Sequence, residues 1–106
     1  MKKLLIGKIS ELDKNNQFTK WVDDHDVLVF RHNDEIRAYS NICPHFGGPI
    51  GHHKIRKNSE GKHVFTCLWH NLEFDIHKGT CTQVKNFKLR EYDLSLEGDD
   101  IFVYLN

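Results

Sequence analysis

The chain has 106 residues, enough for one compact domain and too few for two. Fifteen Lys and Arg balance fifteen Asp and Glu, so the formal net charge is zero and nothing in it points to nucleic acid as a partner. The apolar start Leu4-Leu5-Ile6 stops at Gly7-Lys8, short of a signal-peptide core, and no stretch approaches membrane-spanning length; the expectation is a soluble, cytoplasmic protein with no membrane partner.

In chain order, Leu4-Leu5-Ile6 predicts a first strand and Phe18 to Val22 a second. Val27-Leu28-Val29-Phe30 is a continuous apolar run of strand length, which reads as a buried strand. The turn residues His32-Asn33-Asp34 follow, and Ile36 to Tyr39 resumes, so the pair predicts a hairpin. A loop with Pro44, Gly47, Gly48 and Pro49 fills the stretch from Asn41 to Gly51. His63 to Thr66 and Leu72 to Asp75 read as short strands, with a polar turn over 57–62 before the first and a turn at His77-Lys78-Gly79 after the second. Tyr92, Leu94 and Leu96 alternate with polar residues, whereas Leu89 is out of phase, which predicts a bulge near Arg90-Glu91. Gly98-Asp99-Asp100 turns into a last strand, Ile101 to Leu105.

No segment has sustained helical periodicity, and there is no repeat, linker or low-complexity tract. The pattern predicts a single all-β domain over 1–106, an antiparallel sandwich or barrel of short strands.

The three cysteines, Cys43, Cys67 and Cys81, are too few and odd in number for a disulfide framework. Two lie in ligand-like motifs, Cys43-Pro44-His45 and Cys67-Leu68-Trp69-His70. Each motif offers one thiolate and one imidazole from a loop. Such a set suits one tetrahedral zinc ion, or a [2Fe–2S] cluster with two cysteines on one iron and two histidines on the other. Ordinary zinc modules pair Cys with Cys and His with His in each knuckle, which is not the order here. A Cys–His catalytic pair lacks any evident orienting acid or oxyanion site. Pro44 stiffens its loop, and Gly47-Gly48 lets the chain turn closely while leaving amides free to face sulfur.

The run Cys43-Pro44-His45-Phe46-Gly47-Gly48-Pro49, then Cys67-Leu68-Trp69-His70, Phe74-Asp75 and Gly79, resembles the Rieske-type [2Fe–2S] proteins, and among them the small ferredoxins of bacterial oxygenases. The resemblance extends from Val27 to the last strand. It implies two cluster-binding hairpin loops within residues 41–76, with Cys43 and Cys67 on one iron and His45 and His70 on the other. It further implies a monomeric one-electron carrier, not itself an enzyme, between a flavin reductase and a terminal oxygenase or similar enzyme. A Rieske subunit of a larger reductase and a zinc-stabilised or iron-sensing interaction module are the rival functions.

The chain departs from the family at several points. Leu68 and Asn71 replace the Pro and Gly of the usual C-P-W-H-G, and Asn suits the same left-handed turn. The inter-motif segment is longer, and Cys81-Thr82-Gln83-Val84 stands where a proline-rich buttress is common. The extra cysteine pair of respiratory Rieske proteins is absent, as is a serine donor in the second loop. Fewer donors to sulfur imply the low end of the Rieske range, roughly −150 mV. With mixed ligation the oxidised centre is about neutral and reduction takes it to about −1, which makes a milder carrier than four thiolates would. The free imidazole nitrogens can couple reduction to pH.

His25, His32, His52, His53, His63 and His77 are expected to be solvated. Cys81 is expected to be a small buried hydrophobe; Trp69, between the ligand positions, either shields the site or leads to a partner surface, or simply packs. Lys54, Arg56, Lys57 and Lys62 against Glu60 form a basic stretch expected near the cluster loops, which reads first as a solvated hairpin tip and alternatively as a patch that steers an acidic partner reductase or oxygenase.

Overall fold

A computed structural model describes residues 2–44, 47–69 and 71–105; Met1, His45, Phe46, His70 and Asn106 lie outside the described residues. Its strands are β1 (Lys2–Lys8), β2 (Gln17–Val22), β3 (His25–His32), β4 (Glu35–Ser40), β5 (Arg56–Lys57), β6 (His63–Thr66), β7 (Glu73–Asp75), β8 (Glu91–Tyr92), β9 (Leu94–Glu97) and β10 (Asp100–Leu105). The all-β expectation holds. The helical content among the described residues is one 3-10 turn, Ile9–Leu12, which the sequence did not signal.

Val27, Leu28, Val29 and Phe30 explain the arrangement. All four are buried in β3, and alternation sends Val27 and Val29 to one face and Leu28 and Phe30 to the other. A strand that is apolar on both faces requires cover on both. β3 therefore lies inside a central antiparallel sheet, β2-β3-β4-β8, with a further sheet on each side. Sheet β1-β10-β9 covers the valine face, contributing Ile6, Ile101, Val103 and Leu105. Sheet β5-β6-β7 covers the other face, contributing Phe65 and Phe74.

Both hairpins of the central sheet close through two residues at positive φ, Asp23-Asp24 (51° and 66°) and Asn33-Asp34 (52° and 64°). These are type I′ turns, whose twist matches that of the strands.

Aromatic contacts join the second core. Phe30 meets Phe65 edge to face at 5.0 Å and stacks on Tyr39 at 5.6 Å between centroids. The fully buried Tyr39 hydroxyl donates to the Ile76 carbonyl at 2.9 Å and accepts from Arg37 Nη2 at 3.0 Å.

The bulge expected near Arg90-Glu91 is not what breaks the phase. The chain leaves the central sheet after Tyr92 and joins the outer sheet from Leu94. Leu89 therefore belongs to one core and Tyr92 to the other, while Leu96 is exposed. A register irregularity does occur in β1, between Leu5 and Gly7.

Burial pushes the Tyr39 hydroxyl up to about 12. Above pH 10 an unfolded chain sheds this proton while the folded chain keeps it, so the folded state binds more protons and stability falls as pH rises. The contribution is intact below pH 10 and lost towards pH 12. Denaturant titrations of wild type and Tyr39→Phe at pH 9, 10, 11 and 12 are expected to show wild type losing roughly 2 kcal/mol more over this range. Parallel curves would rule this assignment out.

Candidate metal centre

Both cysteine motifs fold into the same five-residue loop. Cys43 N donates to Gly48 O at 2.9 Å, Gly47 N donates to Cys43 O at 2.8 Å, and Ile42 bridges Pro49. In the second loop Cys67 N donates to Leu72 O at 2.9 Å, Asn71 N donates to Cys67 O at 3.0 Å, and Thr66 pairs with Glu73. The residue that closes each loop has positive φ, Gly47 at 78° and Asn71 at 56°. Asn71 thus fills the left-handed position expected of it.

The two loops touch. Leu68 N donates to Pro49 O at 3.3 Å, and a Cβ on Gly48 would lie 2.9 Å from Cys67 Sγ and 3.1 Å from the Trp69 ring. Cys43 and Cys67 are 2% and 0% exposed and belong to one core cluster. His45 and His70 lie outside the described residues, so their expected part in the site rests on their sequence positions.

A third copy of the loop carries no cysteine. Asp75 N donates to Thr80 O, Gly79 N donates to Asp75 O at 2.7 Å with φ of 73° at Gly79, and Phe74 bridges Cys81. Here Asp75 Oδ1 accepts from the amides of His77 at 2.7 Å and Lys78 at 3.4 Å. This loop form therefore favours an anionic side chain at its first position. A buried thiolate at Cys43 or Cys67 suits the same place, and two such loops in contact fit a sulfur-ligated metal group.

Comparison with known proteins decides which group. The model of the Rieske [2Fe–2S] domain matches residues 2–93. The chain belongs to the Rieske [2Fe–2S] domain family.

Among curated relatives, the carnitine monooxygenase oxygenase subunit of Escherichia coli is 28% identical over 97% of this chain and 29% of its own length. The ferredoxin component of the alkene monooxygenase system of Xanthobacter autotrophicus is 26% identical over 77% of this chain and 64% of its own. The chain thus spans less than two thirds of the length of these relatives. The ferredoxin of carbazole 1,9a-dioxygenase from Nocardioides aromaticivorans superposes with a TM-score of 0.81 over 100% of both chains at 23% identity, which shows the fold. In carbazole 1,9a-dioxygenase, oxygenase and ferredoxin form a complex, and a chain of that complex matches with a TM-score of 0.78 at 18% identity, over 97% of this chain and 28% of that one.

Membership of the Rieske family implies a [2Fe–2S] cluster, which the buried, paired thiol loops fit. The missing proline buttress has a replacement that the sequence did not reveal. Gln83 Oε1 accepts from the Glu73 amide at 2.9 Å, and Gln83 Nε2 reaches Asn71 O at 3.5 Å, bracing the second Rieske loop from behind. Asn41, buried at the base of the first loop, was also missed. Its Oδ1 accepts from Gly51 N at 2.6 Å and its Nδ2 donates to Asp26 Oδ2 at 2.9 Å, so one side chain spans the neck of the loop. An Asn where strand gives way to a Gly- and Pro-containing loop was the available signal.

Ile42, Leu68 and Trp69 are exposed by 42%, 36% and 59%, so the paired loops present apolar side chains at the surface, with the Trp69 ring beside Gly48. Cys81 is buried, as expected. His52 and His53 are exposed and stack edge to face. Of the remaining described histidines, His77 is exposed as expected, whereas His25, His32 and His63 are half-buried: His25 Nδ1 lies 2.9 Å from the Tyr92 hydroxyl, and the His32 ring meets those of His63 and His77.

Of the basic stretch only Arg56 lies beside the Cys67 loop, where it donates to Thr66 Oγ1 at 3.0 Å. Lys57 pairs with His63 at the start of β6, whereas Cys67 follows the end of that strand. Arg56 is neutralised by Glu73. Burial raises the Glu73 carboxyl, but hydrogen bonds from Asn58, Arg56 and Thr82 outweigh it and hold the group below its ordinary range. The expectation of steering by Lys57 and Lys62 at the cluster loops is therefore withdrawn.

Gly48→Ala is expected to push Cys67 from its place and lower iron and acid-labile sulfide per chain several-fold. Asn71→Gly is expected to load fully, whereas Asn71→Val costs roughly 1 kcal/mol in loop strain. Iron and sulfide assays on the purified variants check both, and a fully loaded Gly48→Ala protein would refute the contact.

Proposed function

We propose that this chain is a one-electron carrier, a single Rieske domain over 1–106 with its cluster-binding part at about 41–76. Cys43 and Cys67 hold one iron and His45 and His70 the other. The observation that carries the reading is the pair of matching loops in contact, each headed by a buried cysteine and each containing a histidine in sequence. When bound, a [2Fe–2S] cluster takes up and releases single electrons.

The chain's own residues do the rest. The loops fix the thiolates inside the core and away from water. Ile42, Leu68 and Trp69 provide a flat apolar rim on which a partner can close. The partners are a flavin reductase as donor and a terminal oxygenase as acceptor, by analogy with the ferredoxins it resembles. The carrier works as a cytoplasmic monomer. Among the described residues no helix is long and apolar enough to cross a membrane.

Electron paramagnetic resonance of the dithionite-reduced protein tests the cofactor. A rhombic signal from a mixed-ligand cluster is expected, and Cys43→Ser or His70→Ala should abolish it together with the brown colour. A silent sample containing zinc would overturn the reading. Potentiometry should place the midpoint near the low end of the Rieske range, roughly −150 mV.

A further inference from the structure

The core between the central sheet and β5-β6-β7 has two ends. The cysteines lie at one, and three imidazoles close the other. Alternation puts them there: Leu28, Phe30 and His32 share one face of β3, and His63 and Phe65 share the facing side of β6, with Cys67 next in step. The Phe30–Phe65 contact is thus continued outward by His32 and His63, whose ring centroids are 4.5 Å apart. His77, from the 75–79 loop, stands 6.0 Å from His32. Four residue steps lead from His63 to Cys67, about 13 Å at the usual strand rise.

His32 Nε2 is buried and has no hydrogen-bond partner among the described residues. Cavities of about 230 and 120 Å³ adjoin this ring. The larger is lined by Asn16, Arg31, Lys54 and His63, the smaller by Glu35, Arg37 and His77. Burial, then the two neighbouring imidazoles, lower the His32 pKa from its ordinary value, which favours the neutral ring. His77 follows Asp75 at the same offset at which His45 follows Cys43, in a loop of the same form.

We propose that His32, His63 and His77 form a second metal site, a nitrogen-donor site for a divalent d-block ion such as Zn²⁺, Ni²⁺ or Cu²⁺. Three imidazoles bound at 2.0–2.1 Å around a tetrahedral ion hold their ring centroids about 5 Å apart, and the observed 4.5 and 6.0 Å bracket that value. As the side chains stand, no three His, Cys, Asp or Glu among the described residues converge on one point. His77 is exposed on its turn, and binding requires its ring to swing inward. Neutral imidazoles select such ions over Ca²⁺ and Mg²⁺, and Cu²⁺ binds most tightly of the series. A bound ion ties β3, β6 and the 75–79 loop together at the end of the core remote from the cysteines.

The test is Ni²⁺ equilibrium dialysis of the oxidised, cluster-loaded protein, with Cu²⁺ electron paramagnetic resonance at half an equivalent; the oxidised cluster's antiferromagnetically coupled ferric pair does not contribute to the spectrum. One Ni²⁺ per chain and nitrogen superhyperfine splitting on Cu²⁺ are expected. His77→Gln, on an exposed turn, should weaken Ni²⁺ binding at least tenfold with the cluster spectrum unchanged, and His32→Gln/His63→Gln should abolish it. His52→Gln/His53→Gln should leave it intact. No stoichiometric binding, affinity unchanged in His77→Gln, or loss confined to the His52/His53 variant would overturn the proposal.

Discussion

The burial of β3 on both faces is the constraint from which the rest follows. Val27 and Val29 demand one covering sheet, and Leu28 and Phe30 demand another. Burying four such side chains is worth roughly 6–12 kcal/mol before the entropy of ordering them is subtracted. Neither outer sheet has enough apolar surface to stand alone, so each is held by what it covers. The sheet β5-β6-β7 has strands of only two to four residues. It persists because Phe65 and Phe74 anchor it on Phe30 and Tyr39, and the loop carrying Cys67 joins β6 to β7. The position of the Cys67 sulfur is therefore set by an aromatic contact two residues away along the chain.

The loops add a second constraint, a local one. A five-residue closure with positive φ at its last residue recurs at Cys43, Cys67 and Asp75. The Asp75 copy shows how that backbone treats an anion, because two amides converge on its carboxylate. Amides aimed at sulfur stabilise added negative charge, so the same loop form that positions a thiolate also bears on how readily the site accepts an electron. The form needs a residue tolerant of left-handed backbone at its close, and Gly47, Asn71 and Gly79 each satisfy that requirement.

Much of this was legible in the sequence, because the periodicities are short and the turn residues plain. The unbroken apolar run gave the doubly covered strand, Asn33-Asp34 gave the hairpin, and Asn71 gave the left-handed closure. What was not legible depends on contacts between distant segments. The change of sheet at Asp93 looks like a bulge when only one strand is in view. Gln83 is an ordinary loop residue until the fold brings it behind Asn71. Lys57 and Lys62 are near the cysteines along the chain, but the direction of β6 carries them to the other end. His32, His63 and His77 are 31 and 14 positions apart and gather only because three segments end at one edge of the core.

The two ends of that core differ in a way that bears on electron transfer. At the cysteine end the thiols are buried, while Ile42, Leu68 and Trp69 lie open around them. Burial keeps water from the two thiols, and on the proposed reading the exposed side chains would let a partner approach without any opening of the core. A transient partner needs a small, partly apolar patch and fast release, and on the proposed carrier reading the exposed Ile42, Leu68 and Trp69 would supply it. Arg56, the cation that lies near the second loop, is already paired with Glu73, so its charge is spent within the domain. On the proposed carrier reading, a partner that closes on this face would meet Ile42, Leu68 and Trp69 rather than a free Arg56 charge.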